Sequence, residues 1–157
     1  MGIEYLFRGK TYPKEQGVAF NNIWVEGDLV VSRGKYYIHP HANAFQVEKE
    51  LAKLVIMHEV IPETVGEYVG LKDKNGKKVF ENDIVVMKPT THYSDKRDYY
   101  KVLFSTKDIA SCGCCYERFA GSGFVCENYL GERGNLAYNE DLEVIGNIID
   151  NKELLGE

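Results

Sequence analysis

The chain has 157 residues, of which 44% are hydrophobic and 27% charged, and its formal net charge at pH 7 is −5. These values are typical of a folded globular protein, and they exclude a disordered chain, which would have far less apolar content. The acidic balance also argues against a protein whose whole surface coats nucleic acid or an anionic membrane. The length fits one domain or two very small ones.

The N-terminal part contains short runs of β-branched and aromatic residues bounded by turn-forming residues, which predict strands. These runs are Ile23–Val25, Leu29–Val31 and Tyr36–Ile38. Glu26-Gly27-Asp28 is expected to bend the chain between the first two. The tetrapeptide Ser32-Arg33-Gly34-Lys35 predicts a hairpin turn between the second and the third.

The middle of the chain is less regular. Asn43–Leu54 partly fits a helical stripe with Asn43 as an N-cap, so a short helix is expected there. The following residues, Val55–Ile61, predict a strand that ends at Pro62.

The C-terminal half again predicts strands, which are Val79–Phe80, Ile84–Val86, Tyr100–Phe104 and Asp141–Ile148. In Asp73-Lys74-Asn75-Gly76, the Asn-Gly pair tolerates positive φ at both central positions of a hairpin turn. A short helical tail through Glu153-Leu154-Leu155 is expected after the last strand.

One stretch of sequence occurs twice in similar form. Trp24–Val31 resembles Val79–Val86, and Gly27 and Asn82 occupy the same position within them. Glycine and asparagine most readily adopt the left-handed conformation. We therefore expect the same turn at both places: a left-handed residue, an aspartate that accepts nearby backbone N–H groups, and a buried strand.

Several blocks of the sequence resemble the YopX family of phage and prophage proteins. The strongest block matches the family pattern P-E-T-V-G-Q-Y-T-G-L-K-D-K-N-G followed by E-G-D-I-V, with Glu67 for the usual Gln and Asn82 for the usual Gly. The matching blocks are Phe7–Lys10, Trp24–Leu29, Val60–Gly76, Val79–Val85 and Leu142–Ile148.

The resemblance implies a mainly β fold in two parts. Residues 1–61 would form a small β-rich N-terminal region, and residues 62–157 a C-terminal SH3-like β-barrel. It also implies a phage product that acts in the cytoplasm of a bacterial host. The family has no established function, so the resemblance transfers no catalytic residue and no cofactor.

Basic and aromatic residues alternate in one segment of the C-terminal part. Single-stranded nucleic acids are bound by such residues, because rings stack on bases and cations contact phosphates. A nucleic-acid-binding module is therefore one alternative function, although the net charge of −5 argues against it. Its candidate residues are Lys88, Tyr93, Lys96, Arg97, Tyr99, Tyr100 and Lys101.

The same segment contains His92, Asp95 and Asp98, which could act as a general acid–base group in an enzyme. No nucleophile motif or glycine-rich phosphate loop accompanies them. We therefore expect the chain not to be an enzyme.

The four cysteines all lie between residues 112 and 126. Cys112, Cys115 and Cys126 could contribute to a zinc site, but the second ligand pair of a typical site is missing. The pair His39 and His41 offers only two ligands. We expect the cysteines to pack as small apolar side chains in a hairpin, with no metal and no cofactor.

The function that these observations favour is a non-catalytic phage accessory protein. It would act through contact with another protein, which the sequence does not name, or through self-association, because the edge strands of small β units are natural contact sites. The longest aliphatic run is Leu54-Val55-Ile56-Met57, and no apolar leader follows Met1. We therefore expect no membrane contact.

Overall fold

The structure, a computed structural model, describes residues 5–13, 22–41, 57–87, 98–105, 123–128, 133–134, 136 and 141–156. Strands account for 62% of these residues, which confirms the mainly β class. The chain divides into two compact units, Met1–Tyr68 and Val69–Glu157. This division falls inside a strand, whereas the boundary predicted from the sequence lies between residues 61 and 62.

The first unit is built on antiparallel strands. The strands are β1 (Phe7–Lys10), β2 (Trp24–Ser32), β3 (Lys35–Pro40), β4 (His58–Val60) and β5 (Gly66–Lys72). Their order is β4-β3-β2-β1 followed by the start of β5. The helix expected at Asn43–Leu54 lies outside the described residues.

The second strand is continuous from Trp24 to Ser32, so the bend expected at Glu26-Gly27-Asp28 is wrong. Gly27 does not have a positive φ, so the turn expected there is wrong, whereas Asn82 has φ +70° and the turn expected at that position is confirmed. A Cβ atom on Gly27 would lie 1.9 Å from the carbonyl oxygen of His39 on β3. The glycine is therefore needed because two backbones approach closely here.

The end of β1 also contacts β4, the strand at the far side of the order. Thr11 and Val60 form a β-bridge, and the Ile61 N–H donates to the Lys10 carbonyl at 2.9 Å. Ile38 and Val60 are fully buried. A Cβ atom on Gly9 would come within 2.9 Å of the Val60 side chain, so the absence of one lets this strand approach β4.

The second unit contains the remainder of β5 and the other strands, whose ranges are β6 (Lys78–Phe80), β7 (Asp83–Met87), β8 (Asp98–Ser105), β9 (Gly123–Asn128), β10 (Arg133–Gly134) and β11 (Glu143–Asn147). Five of them form an antiparallel sheet in the order β10-β9-β8-β7-β11. Val79, Val85, Val102, Cys126 and Val144 lie in its core, and Val69 and Leu71 of β5 pack against it.

The predicted SH3-like barrel is not closed. Among the described strands, β10 and β11 form the two ends of the five-stranded sheet and do not pair with each other. β5 and β6 are neighbours in the other sheet, and among the described strands neither forms a ladder with β10 or β11. Val79 of β6 lies in the core, and Val69 and Leu71 of β5 pack against it, without completing a barrel.

The turn after β5 is confirmed at Asp73–Gly76, with one difference. Gly76 has φ +81°, but Asn75 does not have a positive φ. The Gly76 N–H donates to the Asp73 carbonyl at 2.9 Å, and the Asp73 N–H donates to the Lys77 carbonyl at 2.8 Å. This is a three-residue hairpin loop that needs one left-handed residue at its end, rather than two at its centre.

The last predicted elements are confirmed. The strand expected within Asp141–Ile148 is β11, and the helical tail is a 3-10 helix at Lys152–Leu155. A second 3-10 helix, Pro62–Thr64, begins at the proline that ends the β4 region. No α-helix occurs among the described residues.

Candidate functional site

The basic and aromatic segment predicted from the sequence is described only at its C-terminal end. Tyr99, Tyr100 and Lys101 lie on β8. Tyr99 is 44% exposed, whereas Tyr100 is 9% exposed and belongs to the core. Adjacent residues of a strand point to opposite faces, so the two rings cannot stack on one ligand. The other candidates lie outside the described residues: Lys88, Tyr93, Lys96 and Arg97.

Lys101, the described cation of this segment, forms an ion pair. The Lys101 ammonium lies 3.2 Å from the Glu127 carboxylate of β9, and these residues are opposite each other in the ladder. A phosphate would have to compete with a carboxylate at this position. Of the three described candidates, Tyr99 presents its ring to solvent.

The residues considered for catalysis and metal binding are also only partly described. Asp98 is the first residue of β8, and His92, Asp95, Cys112 and Cys115 lie outside the described residues. Cys126 is fully buried and lies opposite Val102 in the ladder of β8 and β9. Its side chain packs in an apolar core, which is how a buried thiol behaves as a small hydrophobic group.

The described part of the first unit presents most of the exposed apolar side chains. Six of the eight large hydrophobic residues that are exposed belong to it, and Val31 on β2 is 55% exposed. Val30, next to it, is 37% exposed. The six are Tyr5, Tyr12, Ile23, Val30, Val31 and Met57, and the two in the second unit are Tyr99 and Phe104.

The tip of the β2–β3 hairpin follows the predicted turn. Ser32 lies opposite Lys35, and Arg33 and Gly34 have φ of +51° and +76°. Two successive left-handed residues are typical of the two-residue turn whose twist matches that of the strands it connects. The sequence predicted this hairpin, but it did not reveal that the valines before the turn are exposed.

At the other end of the same hairpin, an aspartate lies between two histidines. The His41 Nε2 atom is 2.7 Å from the Asp28 Oδ1 atom, and the His39 Nδ1 atom is 3.8 Å from the Oδ2 atom. The hydrogen bond with His41 lowers the pKa of the Asp28 carboxyl. In the described ranges, no three His, Cys, Asp or Glu side chains are placed to hold a metal ion.

A basic and aromatic cluster that the sequence analysis missed lies on β1 and β2. The Arg8 guanidinium is 4.8 Å from the centre of the Trp24 ring, and the Lys10 ammonium is 5.9 Å from it. These are cation–π distances. The alternation of Arg8 and Lys10 along a strand could have indicated that both side chains share a face. Because Arg8 is buried, the cluster contributes more to the packing of the sheet than to an exposed binding surface.

No helix in the described part of the chain is long and apolar enough to cross a membrane. No curated protein matches the sequence of the chain. The family model for the YopX protein matches residues 18–156, which is nearly the whole chain. This match agrees with the sequence blocks from Trp24 to Ile148 and with the β fold. The chain therefore belongs to the YopX protein family.

Proposed function

We propose that the chain is a non-catalytic phage or prophage accessory protein that acts in the bacterial cytoplasm through protein–protein contact, including self-association. The observation that supports this proposal most directly is the concentration of exposed apolar side chains in the first unit. Exposed apolar side chains are typical of a surface that contacts another protein where they form a continuous patch. Catalysis has no comparable support among the described residues.

The β-strand edges support the same proposal. Among the described residues, β2 extends beyond β1, which pairs with it on one side at Trp24–Gly27. Backbone N–H and C=O groups at such edges can pair with another chain. Nucleic-acid binding has weaker support, because Tyr100 is buried and Lys101 is paired with Glu127.

The proposal is tested by sedimentation velocity of the full chain over a series of concentrations, together with a tagged pull-down from host lysate. We expect a mass above that of the 17.9 kDa monomer as the concentration rises, or specific enrichment of a protein over the tag alone. A chain that stays monomeric and enriches nothing would contradict the proposal.

A further inference from the structure

The turn after β5 contains an asparagine followed by a glycine, and this pair, Asn75-Gly76, occurs once in the sequence. The backbone nitrogen that follows an asparagine can attack the side-chain amide carbon and form a cyclic succinimide. Glycine favours this reaction, because it has no side chain to obstruct the attack and tolerates the backbone angles that ring closure needs. The sequence of the turn is therefore chemically reactive.

Both residues of this pair are accessible to solvent. Asn75 and Gly76 are exposed, and among the described residues a Cβ atom added to Gly76 would meet no atom within 4 Å beyond its chain neighbours. Asn22 is exposed as well, but it precedes Ile23, whose branched side chain crowds the backbone nitrogen. Asn22 is therefore a matched comparison within the same chain.

The hydrogen bonds of Asp73 oppose this reaction in the folded chain. The nitrogen that would attack belongs to Gly76, and its N–H donates to the Asp73 carbonyl at 2.9 Å. The Asp73 Oδ1 atom accepts the N–H groups of Asn75 and Lys77, one on each side of the reacting peptide bond, at 2.8 and 2.9 Å. Attack requires the Gly76 nitrogen to lose its proton and approach the asparagine side chain, so the turn must open first.

We infer that Asn75 is a site of spontaneous deamidation and that the Asp73 carboxylate limits its rate. The Gly76 nitrogen forms a bond to the Asn75 Cγ atom, the bond from Cγ to Nδ2 breaks, and the side-chain nitrogen leaves as ammonia with the proton from Gly76. Water then opens the succinimide at either carbonyl and gives aspartate or isoaspartate. No oxidant or reductant takes part, and each product carries one additional negative charge.

Isoaspartate changes the backbone of the turn as well as its charge. Its main chain passes through the former side-chain carbon, so the path between residues 75 and 76 is longer by one bond. The Asp73 Oδ1 atom accepts N–H groups on both sides of this path, and its Oδ2 atom accepts the Val144 N–H of β11 at 3.0 Å. Deamidation therefore loosens the attachment of the turn to β11.

The site is tested by incubating the full chain at constant temperature and mildly alkaline pH, with peptide mapping by mass spectrometry to locate each conversion of an amide to an acid. We expect Asn75 to be modified while Asn22 stays intact. The same chain unfolded in guanidinium chloride should deamidate at Asn75 about tenfold to a hundredfold faster, because the hydrogen bonds of Asp73 no longer oppose opening of the turn.

Asp73→Ala tests the role of the carboxylate. We expect the rate at Asn75 in native buffer to rise at least about fivefold, since the charge-assisted hydrogen bonds from Asn75 and Lys77 are lost. Val102→Ala is the matched control, because it removes core volume on β8 of the same unit and leaves the turn sequence intact. Its rate should equal that of the parent chain. Asp73→Asn keeps one acceptor oxygen, should give an intermediate rate, and replaces the alanine variant if that variant does not fold.

Three results would overturn this inference. If Asn75 stays intact, or is modified no faster than Asn22, the turn is not a deamidation site. If the folded Asp73 variants deamidate at the parent rate, the carboxylate does not limit the reaction. If Val102→Ala accelerates it as much as Asp73→Ala, the reaction proceeds through unfolding of the whole unit rather than through opening of the turn.

The looser turn has a readout of its own. The modified chain can be separated from the unmodified chain by anion exchange, because it carries the additional negative charge. We expect its midpoint of urea unfolding to be lower than that of the unmodified chain. Equal midpoints would contradict the loss of the attachment to β11.

Discussion

At the scale of single residues, the Asp73 carboxylate accepts hydrogen bonds from three backbone N–H groups. Its Oδ1 atom accepts the N–H groups of Asn75 and Lys77 at 2.8 and 2.9 Å, and its Oδ2 atom accepts the Val144 N–H at 3.0 Å. The side chain is buried. One carboxylate thus closes the turn after β5 and attaches it to β11, which is 71 residues away along the chain.

We expect Asp73→Asn to lower the free energy of unfolding by about 1.5–3 kcal/mol, because an amide has one acceptor oxygen in place of two and no charge. Urea denaturation at neutral pH measures the change. Glu63→Gln, the same exchange at an exposed carboxylate, is the control and should stay within about 0.5 kcal/mol of the parent chain. Equal losses in both variants would contradict the structural role of Asp73.

The same carboxylate predicts a pH dependence. Burial raises the pKa of Asp73, but the hydrogen bonds from Val144, Lys77 and Asn75 outweigh burial and hold the pKa below its ordinary value of 3.8. A carboxyl group whose pKa falls on folding stabilises the folded state above the ordinary pKa. This contribution is lost as the pH falls towards the lowered pKa.

We therefore expect the difference in unfolding free energy between the parent chain and Asp73→Asn to be constant above about pH 5 and to shrink below about pH 4. Urea denaturation of both proteins at a series of pH values measures it. A difference that stays the same down to the acid limit of folding would show that the charge of Asp73 does not contribute.

Asn82 replaces a glycine at a position with a left-handed backbone conformation. It has φ +70° in the turn between β6 and β7, and its position is that of the usual glycine in the resemblance. Its backbone N–H donates to the Val102 carbonyl, and its own carbonyl accepts the Ile148 N–H. These bonds hold the backbone in a left-handed conformation that side chains other than asparagine and aspartate disfavour.

Asn82→Gly and Asn82→Ala both remove the side chain, so their difference isolates the backbone conformation. We expect the alanine variant to be less stable than the glycine variant by about 1 kcal/mol in thermal or urea unfolding. An alanine variant as stable as the glycine variant would contradict a left-handed conformation at this position.

Among elements, β2 differs most from its prediction. Two runs of strand-forming residues flank Glu26-Gly27-Asp28, and a glycine between two such runs is usually a sign of a turn or bulge. In the structure the runs form one strand, because Gly27 faces the His39 carbonyl of β3. The reason for the glycine lies on another strand, so local sequence could not reveal it.

Gly27→Ala is expected to lower the free energy of unfolding by at least about 2–3 kcal/mol, because a Cβ atom 1.9 Å from a carbonyl oxygen forces β2 and β3 apart. Gly123→Ala is the matched control, since Gly123 begins a strand, has no positive φ and has open space around its Cβ position. Its effect should stay within about 0.5 kcal/mol. Similar losses in the two variants would contradict the close approach at Gly27.

At the scale of the whole molecule, the net charge of −5 bears on the alternative function. Long-range repulsion from a polyanion acts on the entire chain, and binding would depend on local cations. Of the described candidate residues, Lys101 already has Glu127 as a partner and Tyr100 lies in the core. Of the candidate residues that the structure describes, Tyr99 is the one whose ring is exposed.

We expect no complex with a labelled single-stranded oligothymidine in fluorescence anisotropy, even at low salt, because the net charge of −5 repels the oligonucleotide and Lys101 is paired with Glu127. Polylysine-coated beads that retain the same oligonucleotide serve as the positive control. An affinity that falls steeply with added salt and is lost in Tyr99→Ala would instead support the nucleic-acid alternative.

The sequence by itself determined the strands and turns that depend on the conformational preferences of neighbouring residues. Alternating β-branched residues predicted the strands, and Arg33-Gly34 and the Asp73 turn were predicted because turn residues carry their own φ preferences. The family was also visible in contiguous blocks. None of these depends on how distant segments meet.

Only the tertiary structure decided the features that depend on strand pairing between distant residues, such as the extent of a ladder or the face to which a side chain points. The ladder between β1 and β2 covers Trp24–Gly27, which no local pattern indicates, and the position of β3 explains why residue 27 is a glycine. Tyr99 and Tyr100 look equivalent in sequence, but the registry of β8 with β7 and β9 turns one outward and one into the core. Such properties follow from the register of strands far apart in sequence, because a shift of one residue reverses which side chains face the core.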